Sequence, residues 1–341
     1  MTKTEDCIGE AVPANHPPVP PNRWAVLVSL AQTGEHLRGA DTKGKVMQDF
    51  EGKTAVITGG ASGIGLALAE KCAELRMNVV IADIQEDARN AAVESLEQRQ
   101  ANAIGVEVNT MVKESIDNLL DEATSAFGNV HLLFNNAGVA SMRQAPVPVW
   151  ETPASDWQWV MGVNFDGVLY GLQTFVPHML EHGEPGHVVN TASLAALMPV
   201  GGTYGVSKQA VLGLTESLQR DLQASGARIG SSVLCPGFVN TNIYDAERNR
   251  PEDLTASNSM SDKMLQQMET FQKTTLAAGK QPSEIAEIVF DSIREDRFYI
   301  LPHPAWDDLL VARMQQVIDR GSVATLDPAT MQQKRESGET L

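Results

Sequence analysis

Tyr204 and Lys208 stand four residues apart in the run Tyr204-Gly205-Val206-Ser207-Lys208, with Ser193 a short way upstream. Ala210, Val211, Leu212, Leu214 and Leu218 follow with a helical period, which predicts a helix carrying Tyr204 and Lys208 on one face, one turn apart. An ammonium that close to a phenol favours the phenolate, so the tyrosine pKa is expected to fall from about 10 toward working pH. A tyrosine so tuned can protonate a carbonyl oxygen or deprotonate an alcohol. The same spacing also suits a half-buried tyrosine beside a solvated lysine, so the chemistry depends on the elements that position the pair.

Those elements begin with a β-branched run, Thr54-Ala55-Val56-Ile57. Thr58-Gly59-Gly60-Ala61-Ser62-Gly63-Ile64-Gly65 follows, and then a helical pattern through Leu66, Leu68, Ala69, Cys72 and Leu75. Strand, glycine turn and helix in succession are the setting of a dinucleotide site. The glycines permit a tight turn and close backbone approach, and the helix N-terminus offers free N–H groups to a pyrophosphate. A simple glycine turn is the plainer alternative. The next strand, Asn78-Val79-Val80-Ile81-Ala82, ends at Asp83. A carboxylate there can accept from both ribose hydroxyls of an adenosine and would repel a 2'-phosphate by about 4 kcal/mol at about 4 Å. No basic residue at Ile84 or Ser62 offsets that repulsion, so NAD is expected over NADP. A solvated Asp83 capping the following helix is the competing reading.

The alternation continues with helix 87–98, strand 104–108, helix 113–127 and strand 130–134, after which comes Asn135-Asn136-Ala137-Gly138. Strand 187–191 delivers Ser193, and strand 232–234 delivers Pro236-Gly237-Phe238-Val239-Asn240-Thr241. Helix 284–294, strand 298–301 and helix 306–320 close the pattern. Regular βα repetition predicts an α/β fold: a Rossmann-like, doubly wound parallel sheet with helices on both faces, in a single domain at 49–322. Residues 1–48, proline-rich and aperiodic, read as a flexible extension, and 323–341 as a tail. The polar stretch 242–280 reads as a lid over the active-site edge, with Met260, Met264 and Met268 on one side of a short helix, either facing the substrate or, as the preferred reading, simply packing that helix. Trp157 and Trp159 read as packing residues.

A formal net charge of −17 argues against nucleic acid and anionic membrane surfaces as partners. No apolar run is long enough to span a bilayer. Cys7, Cys72 and Cys235 are scattered and have no metal-ligand spacing, so no metal site is expected and a reduced compartment is. With acidic residues where an export signal would be basic, the expected location is cytoplasmic.

Taken together, these motifs resemble the short-chain dehydrogenase/reductase superfamily in its ordinary-length branch, from about Phe50 to Arg320. The turn at Thr58–Gly65, Asp83, Asn135–Gly138, Asn164, Ser193, Tyr204, Lys208 and Pro236-Gly237 occur in the family's order. The resemblance implies that Asn136, Ala137 and Gly138 steady the central strand beside the cofactor. It also implies that Asn164 holds a water linking the lysine to solvent, and that Val239 and Thr241 lie at the nicotinamide. Asn109 stands where the family usually has an adenine-contacting aspartate, and should bind with a changed contact. The spacing from Ser193 to Tyr204 is two residues tighter than in many relatives. Ser193 is taken as the serine, with Thr191 as the alternative. The helix near Trp150–Gly171 and the one bearing Tyr204 are implied to form a homodimer or homotetramer interface.

The expectation is an NAD-dependent oxidoreductase interconverting a secondary alcohol and a ketone. Tyr204 would be its acid/base, with Ser193, Lys208 and Asn164 assisting. Its cofactor would be held by Thr58, Gly59, Ser62, Gly63, Ile64, Gly65, Asp83, Asn109, Asn136, Ala137, Gly138, Tyr204, Lys208, Pro236, Gly237, Val239 and Thr241. Leu194, Met198, Phe238, Ile243 and the lid methionines suggest an apolar substrate. The alternatives are an NADPH-dependent carbonyl reductase and a non-catalytic dinucleotide-binding regulator of the same fold.

Overall fold

A computed structural model of the chain describes residues 47–141, 147–198, 200–254, 262–323 and 334. The expected N-terminal extension up to residue 46, Met260 and nearly all of the tail lie outside these residues, as do the side chains of Met264 and Met268. Met47 and Gln48, expected in the extension, join the folded body, Met47 in the core and Gln48 bonded to the Arg294 carbonyl (2.9 Å).

Seven parallel strands form one sheet: β1 (Thr54–Thr58), β2 (Asn78–Asp83), β3 (Ala103–Glu107), β4 (Val130–Asn135), β5 (Gly186–Thr191), β6 (Ile229–Leu234) and β7 (Tyr299–Ile300). Their spatial order is β3-β2-β1-β4-β5-β6-β7, so the winding direction reverses between β1 and β4. Such a switch point opens a crevice beyond the carboxyl ends of the strands. The helices are α1 (Gly63–Glu74), α2 (Glu86–Gln98), α3 (Lys113–Phe127), α4 (Ala154–Met161), α5 (Gly167–His182), the short α6 (Leu194–Leu197), α7 (Gly202–Ser225), α8 (Asp262–Ala277), α9 (Pro282–Arg294) and α10 (Asp307–Ile318).

The inner strands β1, β2, β4, β5 and β6 are buried on both faces, as a parallel sheet requires, while the edge strands β3 and β7 are partly exposed. Ala55 and Ile57 of β1 pack with Val79, Ile81, Leu68 and Phe290 on one side, while Val56 packs with Val80, Leu133, Ile116 and Phe175 on the other. That is the doubly wound α/β fold expected from the sequence, with shifted boundaries. β6 starts at Ile229 rather than at 232, and the added Ser231, like Ser232, is satisfied inside the sheet. Ser231 donates to Gln219 (2.6 Å), and Ser232 donates to the Arg297 carbonyl (2.7 Å) while meeting His187 Nε2 (2.8 Å). The helix expected around Trp150–Gly171 is two helices, α4 and α5, joined by a π-helical turn at Gly162–Asp166.

The amino-terminal edge of the sheet is held by Glu184, which accepts hydrogen bonds from Lys53 (2.7 Å), Asn129 (2.8 Å) and His131 (3.0 Å). These donors, Lys53 foremost, lower the Glu184 carboxyl to about 2. A carboxylate held that low adds stability above its ordinary value, and the contribution is lost as pH falls toward about 2. The side chain is 38% exposed, so solvent screening leaves about 1 kcal/mol of it. Glu184→Gln should therefore lower stability by about 1 kcal/mol at about pH 7. Urea melts should show the gap to wild type narrowing as pH falls from 4.5 toward about 2.

Candidate active site

The crevice at the switch point holds a cavity of about 500 Å³ that runs from the glycine turn to the loop after β6. At one end the turn joins β1 to α1, with Gly59 (φ +63°) and Gly63 (φ +54°) in the left-handed region that favours glycine. A Cβ on Gly65 would lie 2.0 Å from the Gly59 carbonyl oxygen, so only glycine lets α1 begin this close to β1. The first turn of α1 carries no acidic residue, which leaves its N-terminal N–H groups and positive end open to an anion. Gly59, Ser62, Gly63 and Ile64 line the cavity, whereas Thr58 and Gly65 stand behind it and shape the turn. The Thr58 hydroxyl accepts from the backbone N–H groups of Asn136 (3.0 Å) and Ala137 (3.2 Å). Asn136 in return donates its side-chain amide to the Thr58 and Gly59 carbonyls (both 3.3 Å). The Asn-Asn-Ala-Gly motif thus ties the end of β4 to the turn, and Asn136, Ala137 and Gly138 reach the cavity wall.

Asp83 ends β2 as expected and is buried. Its two carboxylate oxygens accept from the N–H groups of Ala61 (3.1 Å) and Gln85 (3.0 Å), which fixes the carboxylate at the cavity edge. Asn109 lines the same end, and its side-chain oxygen accepts from the Met111 N–H (3.0 Å). Sequence reasoning missed Arg248 here. It lines the cavity from the 3-10 turn Ile243–Asn249, and its Nε donates to Gln85 Oε1 (3.1 Å). No periodic signal in that stretch points to it.

At the other end α7 presents Tyr204 and Lys208, and β5 followed by the α6 N-terminus presents Ser193. Ser193 lies close enough to the Tyr204 phenol to lower its pKa, while its hydroxyl donates to the Pro236 carbonyl (3.5 Å) and accepts from the Ala195 N–H (3.1 Å). Thr191, the alternative serine equivalent, turns its hydroxyl to Asn136 (3.4 Å). Lys208 is buried, donates to the Thr191 carbonyl (2.8 Å) and lies 5.8 Å from the Tyr204 ring centre. Burial lowers the lysine to about 8.

The expectation that Lys208 would pull the Tyr204 pKa down does not hold in this cleft. Burial pushes the phenol above its ordinary value and outweighs the lowering contributed by Ser193. Asn164 sits in the π turn, behind the cavity wall rather than on it. Its side chain accepts from the Val139 N–H (2.8 Å) and donates to the Val139 carbonyl (2.9 Å) and to Ser207 (3.0 Å). Ser207 donates in turn to the Tyr204 carbonyl (2.8 Å).

Pro236, Gly237, Val239 and Thr241 line the cavity, as do Leu194, Met198, Phe238 and Ile243. Val139, Ala246 and Trp306 join them, and Trp159 does too although it was read as packing alone. Trp159 does both, since its ring also carries the Arg250 guanidinium at 4.7 Å. Arg250 makes buried ion pairs with Asp156 and Glu247, so the front of the expected lid, 243–254, is fastened to α4.

Residues 53–252 match the family model described as short chain dehydrogenase, and the chain belongs to that family of oxidoreductases. It is 34% identical to a CLA biosynthesis dehydrogenase/reductase of Lactiplantibacillus plantarum, over 81% of this chain and 96% of that protein. It is 32% identical to a C alpha-dehydrogenase of a Sphingobium species, over 85% of this chain and 93% of that one. Among solved structures, a short chain dehydrogenase/reductase from Burkholderia phymatum in complex with NAD superposes with a TM-score of 0.77 at 42% identity. That match covers 82% of this chain and 99% of the other. Among the described residues no helix is long and apolar enough to cross a membrane, and no cluster of side chains could hold a metal ion.

Proposed function

We propose that this chain is an NAD-dependent oxidoreductase interconverting a secondary alcohol and a ketone. One observation carries the reading: Tyr204, Ser193 and Lys208 converge on a cavity whose far end is walled by the glycine turn and Asp83. The fit to a dinucleotide rests on the absent Cβ atoms at Gly59 and Gly65 and on the open α1 N-terminus. Gly59, Ser62, Gly63 and Ile64 would hold the diphosphate, Asp83 the adenosine ribose and Asn109 the adenine. Asn136, Ala137 and Gly138 would flank the cofactor's middle, with Pro236, Gly237, Val239 and Thr241 at the nicotinamide. When bound, NAD supplies the acceptor for the substrate's hydride.

The remaining tasks fall to this chain's own side chains. Ser193 donates to the substrate oxygen, and Tyr204 takes the hydroxyl proton in oxidation or returns it in reduction. Lys208 binds the nicotinamide ribose and supplies positive charge beside the phenol. Asn164, one layer behind, orders the peptide of Val139 and, through Ser207, the helix turn that bears Tyr204. The apolar lining suits an apolar alcohol or ketone. The single chain leaves Trp150 (81% exposed) and Val206 (42%) uncovered near α4 and on α7, which supports a homodimer or homotetramer there. Buried, free Cys72 and Cys235 suit a reduced, cytoplasmic setting.

The test is NADH formation by the purified chain with steroid, terpenoid, aliphatic and sugar secondary alcohols. Turnover with at least one class is the expected result. NADH binding without turnover across the panel would favour the regulatory alternative, and tighter binding of NADPH than of NADH would favour the carbonyl reductase.

A further inference from the structure

The loop Pro236–Asn240 leaves β6 and forms the nicotinamide side of the proposed site, so its backbone must be held still. One restraint comes from the segment between α8 and α9. Lys280 N–H donates to the Phe238 carbonyl (3.1 Å) and Asn240 N–H donates to the Lys280 carbonyl (2.9 Å), forming a parallel bridge centred on Val239. In such a bridge the flanking residues take the hydrogen bonds, and the N–H and C=O of the central residue face the opposite way. Val239 lines the cavity.

The second restraint is His303, in the turn after β7. The ring is 1% exposed and absent from the cavity wall. Its Nδ1 accepts from the Gly237 N–H (3.0 Å), which places the proton on Nε2, and Nε2 meets the Phe238 carbonyl at 3.0 Å. A neutral imidazole is a rigid plate with an acceptor at one nitrogen and a donor at the other, and here both are used on successive residues of the loop. A Cβ on Gly237 would lie 3.1 Å from His303 Cγ, so the glycine is what lets the ring come this close. Three residues on, Trp306 packs edge-on against Phe238, with ring centres 6.3 Å apart. One short turn therefore holds both the backbone and the side chain of the loop.

From this geometry we infer that His303 is a positioning residue for cofactor binding: bonded to Gly237 and Phe238, it sets the Val239 peptide groups toward the nicotinamide. The inference rests on the dinucleotide reading above. A second proton, on Nδ1, would face the Gly237 N–H donor head-on and force the loop away. Burial holds the imidazole below its ordinary value, and the charged groups acting on it are Lys280, which lowers it, and Glu284, which raises it. The loop is therefore held at neutral pH and released on the acid side.

Paired binding measurements test this, using NADH and ADP-ribose, which lacks the nicotinamide. His303→Phe keeps a ring and loses both bonds, and should weaken NADH by about tenfold while leaving ADP-ribose within about twofold. His303→Asn keeps an acceptor for the Gly237 N–H and does not titrate. It should recover most of the NADH affinity and flatten the NADH-to-ADP-ribose ratio, which in wild type should hold at neutral pH and fall only below the ordinary imidazole value of 6.5. An equal loss of both ligands in His303→Phe, an unchanged ratio in both variants, or the same acid limb in His303→Asn overturns the positioning role. Failure of the wild type to bind either ligand would sink the dinucleotide reading itself.

Discussion

Tyr204→Phe is expected to cut turnover by about 10³-fold while leaving NADH affinity within about twofold, because the lost hydroxyl serves proton transfer rather than cofactor binding. The ring packs as before, so the cavity keeps its shape, and the Ser193 hydroxyl keeps its bond from Ala195. The pH dependence of the parent enzyme sharpens the expectation. Burial raises the Tyr204 pKa in the ligand-free cleft, so at neutral pH the phenol is protonated and ready to act as an acid. Ketone reduction should therefore hold up at neutral pH and decline in alkali, whereas alcohol oxidation should gain as pH rises and phenolate forms. Lys208, lowered to about 8, loses its charge over part of the same range, which steepens the alkaline loss in reduction. Stopped-flow single turnovers of wild type and Tyr204→Phe, alongside NADH titrations, separate chemistry from binding. Preserved turnover in the variant would remove Tyr204 from the acid/base role.

Much of this site was legible in the sequence because its parts are local. The glycines of the turn are demanded by backbone conformation at Gly59 and Gly63 and by close approach at Gly65, and each of these constraints acts within a few residues. Tyr204 and Lys208 share a helix, so their juxtaposition follows from helical period alone. What stayed hidden depends on tertiary packing. The direction of the Tyr204 pKa shift is set by burial, which no spacing reports. Gly230 and Ser231 concealed the start of β6, since the partner that satisfies Ser231, Gln219, arrives from another element. Arg248 and His303 lie in stretches without period, and Arg248 reaches the cleft and His303 the loop behind its wall only because the chain folds back over the carboxyl ends of the strands.

Replacing Asp83 with Ser should shift the ratio of NADP to NAD binding in favour of NADP by about 10²- to 10³-fold, close to the like-charge repulsion of about 4 kcal/mol that the carboxylate exerts at about 4 Å. Absolute affinity for NAD should drop as well, because Asp83 accepts the N–H groups of Ala61 and Gln85 and so braces the glycine turn. The ratio isolates the charge effect from that loss of bracing. Arg248 gives the experiment a second arm. Bonded to Gln85 and to the Asp245 carbonyl (2.6 Å), with the Asp245 carboxylate at 3.9 Å, it is a cation lining this end of the cavity, and in the Asp83→Ser background it becomes the group that attracts a 2'-phosphate. Adding Arg248→Gln to Asp83→Ser should then return most of the gain in NADP affinity and leave NAD affinity near that of the single variant. Fluorescence titration with NADH and NADPH reads all three proteins. If Asp83→Ser weakened both reduced cofactors equally, Asp83 would be a brace for the turn and the discrimination would have to come from elsewhere in the cleft.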